Sequence, residues 1–329
     1  MVSRRRFSAG AIAAILIPMA ARAQQPGKVW RVAFLVQRHL DFTDTDFIYG
    51  PFRQGMRELG YVEGKNLAIE WRSAEGRAER LPELAAELVR SKPDVLATQG
   101  TSAAMAAQKT TATLPIVMAS VGDPVGSGLV KSLSRPGGNS TGLSLMTAEL
   151  APKLLEMLRE TAPKAARVAV LVNPSNVVNI ALLKNVEAAA KKLGAKIQPV
   201  EAGTAPEIEK GFAAMARQNA GALIVPLDSL FQQHISQIAA LAAKQRLPSI
   251  GAYGEYTAAG GLMSYGQNLR ETYRRAATYV DKIFKGTKPA DLPVEQPTIF
   301  ELALNMKTAK ALGLKVPQAI LIQATKVIE

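Results

Sequence analysis

The sequence predicts an α/β protein built as two similar doubly wound parallel-sheet lobes with a ligand cleft between them. Three observations predict this. The segment RVAFLV (31–36) returns as RVAVLV (167–172). Continuous apolar runs alternate with amphipathic stretches along both halves. The order of those segments is the same in each half. Apolar runs without polar alternation are the signature of strands covered on both faces, and helices between them supply the cover.

The elements follow in order. After 31–36 comes a polar loop and an amphipathic helix ending in Leu-Gly, FRQGMRELG (52–60); after 167–172 comes LLKNVEAAAKKLG (182–194). Strands NLAIEW (66–71) and AKIQPVE (195–201) follow, then helices ERLPELAAELVRS (79–91) and APEIEKGFAAMARQ (205–218). PDVLATQ (93–99) pairs with GALIVPLD (221–228), and LPIVMAS (114–120) with LPSIGAY (247–253). Each half therefore reads β-α-β-α-β-α-β, a unit too long for a solenoid repeat.

In such sheets ligands bind beyond the carboxyl ends of the strands. Those ends carry Gln37-Arg38-His39, Gln99-Gly100-Thr101-Ser102 and Ser120-Val121-Gly122-Asp123 in the first half. In the second they carry Asn173-Pro174-Ser175-Asn176, Asp228-Ser229 and Tyr253-Gly254-Glu255-Tyr256, with Tyr265 on a further strand. The stretch ATQGTSAAMAAQ (97–108) stops a strand, turns on Gly100 and starts an Ala-rich helix at Thr101 and Ser102. Free backbone N–H groups and two hydroxyls converge there, as at an anion site. Neither a P-loop lysine nor a GxGxxG accompanies them.

Composition narrows the function. The chain has 329 residues, 48% hydrophobic and 20% charged, which is globular. It has no cysteine, which excludes disulfides, thiolate metal sites, a cysteine nucleophile and a lipid-anchor cysteine. Its two histidines, His39 and His234, are far apart; His39 reads as a loop residue and His234 is given no role. No metal, cofactor or catalytic group is expected. The net charge is +13; four arginines lie in residues 1–23, which hold no acid, so the remainder carries +9. Lys and Arg are scattered among acids with no aromatic interleaving, so no nucleic-acid partner is expected. Residues 1–23 run basic (MVSRRRFSAG), apolar (AIAAILIPMA), then small at Ala21 and Ala23, the order of a secretory signal peptide. Ser3–Phe7 resembles a twin-arginine start, and Sec export remains open. A periplasmic location follows.

The segment SVGDPVGSGLVKSLSRPGGNSTGLS (120–144) resembles the ABC-transporter substrate-binding family that includes tryptophan/tyrosine-binding proteins. The shared blocks are Asp123-Pro124-Val125, Gly128–Leu133, Pro136–Gly142, Lys310–Leu314 and Lys326–Glu329, spread over essentially the whole mature chain. The resemblance implies a periplasmic binding protein type I fold with three interlobe crossings, a small-molecule solute and a membrane permease as partners, and a monomer. The crossings are expected near Leu143–Thr147, near Gly266–Asn268 and after PADLPVEQPT (289–298). Lobe 1 is then 28–145 plus 268–298, and lobe 2 is 146–267 plus 299–329.

In the proposed cleft, Thr101 and Ser102, with Gln99 before them, would bind a carboxylate; the alternative is that one of them caps the helix. Asp228 would take a ligand ammonium, or else cap the helix read as SLFQQHISQIAALAAK (229–244). Asp123 could do the same, but it precedes Pro124, where a helix is expected to begin. Asn173, Ser175 and Asn176 would bond polar ligand atoms or form an Asx-Pro turn. Tyr253 and Tyr265 would pack on an apolar or aromatic ligand body, or serve as core. The reading is capture of a carboxylate-bearing solute such as an amino acid, aromatic among them, by lobe closure. Three alternatives stand beside it. One is an exported two-lobe enzyme acting on a small metabolite. Another is the same binding class with a different solute. The third is a repressor-like sensor, which would need a helix-turn-helix ahead of residue 31.

Overall fold

The computed structural model describes residues 28–41, 46 and 48–329. The signal peptide expected at 1–23 lies outside the described residues. The first sheet is built from β1 (Trp30–Val36), α1 (Tyr49–Glu58), β2 (Leu67–Ser73), α2 (Leu81–Arg90), β3 (Val95–Gln99), α3 (Thr101–Thr110), β4 (Ile116–Val121) and β5 (Ser140–Ser144). The second half opens with α4 (Ala151–Thr161). It continues as β6 (Arg167–Val172), α5 (Val177–Leu193), β7 (Lys196–Glu201), α6 (Ala205–Arg217) and β8 (Ala222–Val225). Then come α7 (Ser229–Gln233), α8 (Ile235–Lys244), β9 (Ser249–Gly251), α9 (Glu255–Ala258) and β10 (Met263–Gly266). The chain ends with α10 (Leu269–Phe284), β11 (Glu301–Asn305), α11 (Met306–Leu312), α12 (Gln318–Gln323) and β12 (Lys326–Ile328).

The strand orders are β2-β1-β3-β4-β5 and β12-β11-β10-β9-β8-β6-β7. Read from the edge, β7-β6-β8-β9-β10 repeats β2-β1-β3-β4-β5 strand for strand, so the repeated sequence is a repeated topology. The one departure from parallel pairing is β11, antiparallel to β10, with β12 then parallel to β11. The apolar runs make the sheet interiors: Val32–Val36 and Val168–Leu171 are buried without exception. Continuous burial on both faces requires helices on both sides, which α2 and α3 on one face of the first sheet and α1 and α10 on the other provide.

Helix α10 comes from the second half of the chain but packs on the first sheet. It fits because Gly55 of α1 has no side chain: a Cβ there would lie 2.3 Å from the carbonyl oxygen of Arg274. After α10 the chain stays with the first sheet, where Val294 N–H donates to Leu133 O at 2.7 Å and Glu295 N–H to Gly142 O at 2.9 Å. It then enters β11 of the second sheet.

Three local expectations change. No helix begins at Pro124; residues 123–130 form consecutive turns, with Gly126 N–H donating to Asp123 Oδ1 at 2.7 Å. The glycines at 126 and 128 favour turns over a helix. The stretch 229–244 is not one helix but two, broken where His234 takes φ −104° and ψ 22°. The helix read at 182–194 starts five residues earlier, because Asn176 caps it by accepting from Val178 N–H at 3.1 Å.

Candidate functional site: the interlobe cleft

Register brings the first lobe's polar residues together. Val36 pairs with Gln99 between β1 and β3, and Gln99 with Ser120 between β3 and β4. The strands thus end side by side, and Gln37, Gln99 and Ser120 stand on one edge. Opposite them lie the loop after β8 and the starts of α5 and α7. A cavity between the two is lined by Gln37, Gln99, Gly100, Thr101, Ser102 and Ser120 from the first lobe. From the second come Asn176, Val178, Leu227, Asp228, Ser229 and Gln232. Leu145, Thr147, Gly122, Leu269 and Tyr273 complete it. About 430 Å³ lies outside protein atoms, yet little of that is wide enough for a solvent molecule. The lobes are nearly shut, and Gln99 Nε2 donates to Ser229 Oγ across them at 3.1 Å.

The α3 end leaves polar groups open to the cavity. Its cap position is Gly100, which offers no side chain. Hence neither Thr101 nor Ser102 caps the helix; both lie inside its first turn. The first turn's N–H groups have no partner within a helix, and the helix dipole adds about half a positive charge there. Thr101 Oγ1 accepts from Gly122 N–H at 3.3 Å, which ties α3 to the end of β4 and leaves its own proton to donate. Ser102 Oγ has no protein partner among the described residues. Among the described residues no lysine or arginine lines the cavity.

The opposite wall holds one formal charge. Asp228 is buried and does cap α7, accepting from Leu230 N–H at 2.8 Å and Phe231 N–H at 3.4 Å. It also accepts from Asn176 Nδ2 at 2.8 Å and from Asn173 Nδ2 at 3.1 and 3.2 Å. Burial raises its pKa above the usual carboxylate value, and these four donors pull it part of the way back. The capping and cleft-facing roles are therefore compatible in one side chain.

Of the ten residues singled out from the sequence, Gln99, Thr101, Ser102, Asn176 and Asp228 line this cavity. The other five lie elsewhere. Asn173 and Ser175 close an Asx turn on themselves, Asn173 Oδ1 accepting from Ser175 N–H at 3.1 Å and from its hydroxyl at 2.7 Å. They face the outer mouth of the cleft, beside Glu75 and Gly76. Asp123 is held in its own turn. Tyr265 stacks on Phe300 with ring centroids 5.7 Å apart, beside β11. Tyr253 is fully buried and its hydroxyl has no hydrogen-bond partner among the described residues; burial raises its pKa well above the ordinary tyrosine value. Sequence reasoning missed Tyr273 and Leu269. They lie four residues apart on the apolar stripe of an amphipathic helix, and only the return of α10 to the first lobe brings them to the cleft. Tyr273 Oη lies 2.8 Å from Ser120 Oγ. Among the described residues no group of three or more His, Asp or Glu side chains is placed to hold a metal ion.

Two like lobes whose polar strand ends face a shared, closable cleft define a solute-binding protein. The chain belongs to the ABC transporter substrate binding protein family, whose profile matches residues 36–328. A tyrosine-binding protein of Clostridioides difficile (strain R20291) is 27% identical over 264 residues, 80% of this chain and 76% of that protein. Among solved structures, a domain from Streptococcus pneumonia in complex with L-Trp matches with a TM-score of 0.82 at 26% identity, covering 90% of this chain and all of that one. The ligand-free, open structure of a substrate-binding protein with adhesive properties from Clostridium difficile matches with a TM-score of 0.65, also at 26% identity, covering 91% and 99%. At equal identity the chain is nearer the ligand complex than the open form, which agrees with its nearly shut cleft.

Proposed function

We propose that the protein is an exported solute receptor of an ABC importer, working in the periplasm as a monomer. It captures an amino acid, with aromatic amino acids first among the candidates. The hinge would lie where the segments 28–145 and 268–298 meet 146–267 and 299–329. The observation that carries the reading is the pairing of an uncapped α3 N-terminus with the buried Asp228 carboxylate across one small cavity. A zwitterion presents the complementary pair of charges. With no basic side chain in the wall, a solute carrying a second negative charge is disfavoured. The α-carboxylate would take the Thr101 and Ser102 hydroxyls and the first-turn N–H groups of α3. The α-ammonium would take Asp228, with Asn176, Asn173 and Ser175 holding that carboxylate in place. Gln99 would join the two lobes. Leu145, Val178, Leu227, Leu269 and Tyr273 give the solute's side chain apolar and aromatic wall. Tyr253 would support that wall from behind, and Asp123 and Tyr265 take no contact with the solute. The tyrosine-binding relative and the relative solved with L-Trp support the same class. The signal-like order of residues 1–23 supports export. The reading assigns no chemical step to the site; closure alone would present the loaded form to a permease.

Melting the mature chain with each of the amino acids, and with nucleosides and sugars, tests this. A ligand at 100 times its Kd adds about 2.7 kcal/mol, a rise of several degrees. A rise with L-tryptophan, L-tyrosine or L-phenylalanine is expected; a rise with uncharged solutes alone overturns the carboxylate reading. Ser102→Ala is expected to weaken the amino acid about tenfold or more with little change in stability, because its hydroxyl makes no bond to any other described residue. Thr101→Ala/Ser102→Ala is expected to weaken it further, and unchanged affinity by calorimetric titration would remove both hydroxyls from the site.

A further inference from the structure

We infer that Gly122 is a positioning residue for ligand capture: its missing side chain lets the lobes meet, and Val178 is the surface it meets. The inference rests on the two-lobe binding reading and adds what limits closure. A Cβ on Gly122 would lie 2.6 Å from Val178 Cγ1 and 3.2 Å from Cγ2. Gly122 follows β4 of the first sheet, and Val178 is in the first turn of α5 on the second. Both line the cleft.

The contact is one of three. Gly76, after β2, would place a Cβ 2.6 Å from Gln233 Oε1; Gly100, after β3, would place one 3.4 Å from Ser229 Oγ. So three successive strand ends of the first lobe meet the second lobe with bare backbone, and the second lobe supplies the side chains. Gly76 and Gly100 also have positive φ, 80° and 83°, so a substitution there mixes backbone strain with lost closure. Gly122 is not among the positive-φ glycines. A side chain there is therefore compatible with its backbone. What stands in the way is chiefly Val178, with Thr147 Oγ1 at a tight 3.3 Å that a shift of a few tenths of an ångström relieves. In an open form that obstacle moves away with the second lobe. The Gly122 contact thus acts on closure and leaves the fold of either lobe alone.

Two experiments test this. The chain has no cysteine, so Gly122→Cys/Val178→Cys introduces a single pair, with Cβ atoms within about 4 Å at closure, the span of a disulfide. Mild oxidation of the ligand-free mature protein is expected to give an intramolecular cross-link, with a smaller radius of gyration by solution scattering than the reduced form. Absence of a cross-link overturns the contact. The second is calorimetric titration with L-tyrosine and L-tryptophan. Gly122→Ala is expected to bind about tenfold or more weakly than the parent with its ligand-free melting temperature retained, and the same change made in the Val178→Ala protein is expected to cost far less relative to that protein, whose own affinity sets the reference because Val178 lines the cleft. Parent-like affinity in Gly122→Ala overturns the inference, as does a loss that Val178→Ala leaves untouched. A cross-link that forms while neither amino acid binds to the parent supports the closure contact and removes the proposed ligand class instead.

Discussion

Replacing Asp228 by alanine is expected to abolish useful affinity for an amino acid, at least about a hundredfold, and to destabilise the fold by about 2–4 kcal/mol. The stability loss has two sources. The α7 cap goes, worth about 1 kcal/mol. The amide groups of Asn173 and Asn176 lose the acceptor they share, and a buried donor left unsatisfied costs about 1–3 kcal/mol. Removing a buried carboxylate returns part of this. Asp228→Asn separates the two effects. It keeps a cap oxygen and the shape but removes the charge, so it is expected to retain more stability while losing a similar share of affinity. Chemical denaturation and calorimetric titration of both variants measure the split. Parent-like affinity in Asp228→Asn would show that the ligand does not use the charge.

The same residue predicts opposite pH trends for the empty and the loaded protein. Its folded pKa is raised, chiefly by burial. A raised carboxylate pKa means that the folded state holds the proton more tightly than the unfolded one. The contribution of Asp228 to empty-protein stability is therefore greatest below its unfolded pKa and falls as pH rises through the folded value. Ligand binding runs the other way. The ammonium needs the ionised carboxylate, so affinity falls as pH drops through that raised value. Titrations from neutral pH downward, alongside melts of the empty protein, measure both slopes.

Tyr273→Ala is expected to be the most damaging substitution to stability at the cleft, at about 3–5 kcal/mol. The ring is buried between α10 and β4, and its removal leaves a cavity where the two meet. It also strips Ser120 Oγ, itself buried, of its partner. Tyr273→Phe keeps the ring and loses the bond to Ser120, so about 1 kcal/mol is expected for that bond. Affinity should fall in both variants, because Ser120 and Tyr273 line the cavity together. Denaturant midpoints at matched slopes read the stability terms. A Phe variant as damaged as the Ala variant would place the weight on the hydroxyl instead of the ring.

Some of this was written in single short stretches of sequence. RVAFLV and RVAVLV marked the two sheets because a strand buried on both faces must be apolar at every position. The start of α3 was legible because Gly100 followed by two hydroxyl residues is a local signal. Asn176 and Asp228 could be named as candidates because they sit one residue or more past an apolar run. What those side chains do was less legible. An aspartate before a short helix looks the same whether it only caps or also faces a ligand, and Asn173 and Ser175 look like contacts until their turn is seen to close on itself. Tyr265 sits at a strand end as Tyr253 does, yet antiparallel β11 brings Phe300 beside it.

The sequence by itself determined the two repeated β-α units, their polar strand ends and the helix start at Gly100, since each depends on residues within a few positions of one another. Only the tertiary structure decided which strand ends share a cavity, that Leu269 and Tyr273 of α10 join them, and that Gly122 meets Val178. Those facts depend on a helix returning to the first sheet and on the angle between two lobes. Both are set by packing between segments about fifty to well over a hundred residues apart, for which no local pattern of residues carries the signal.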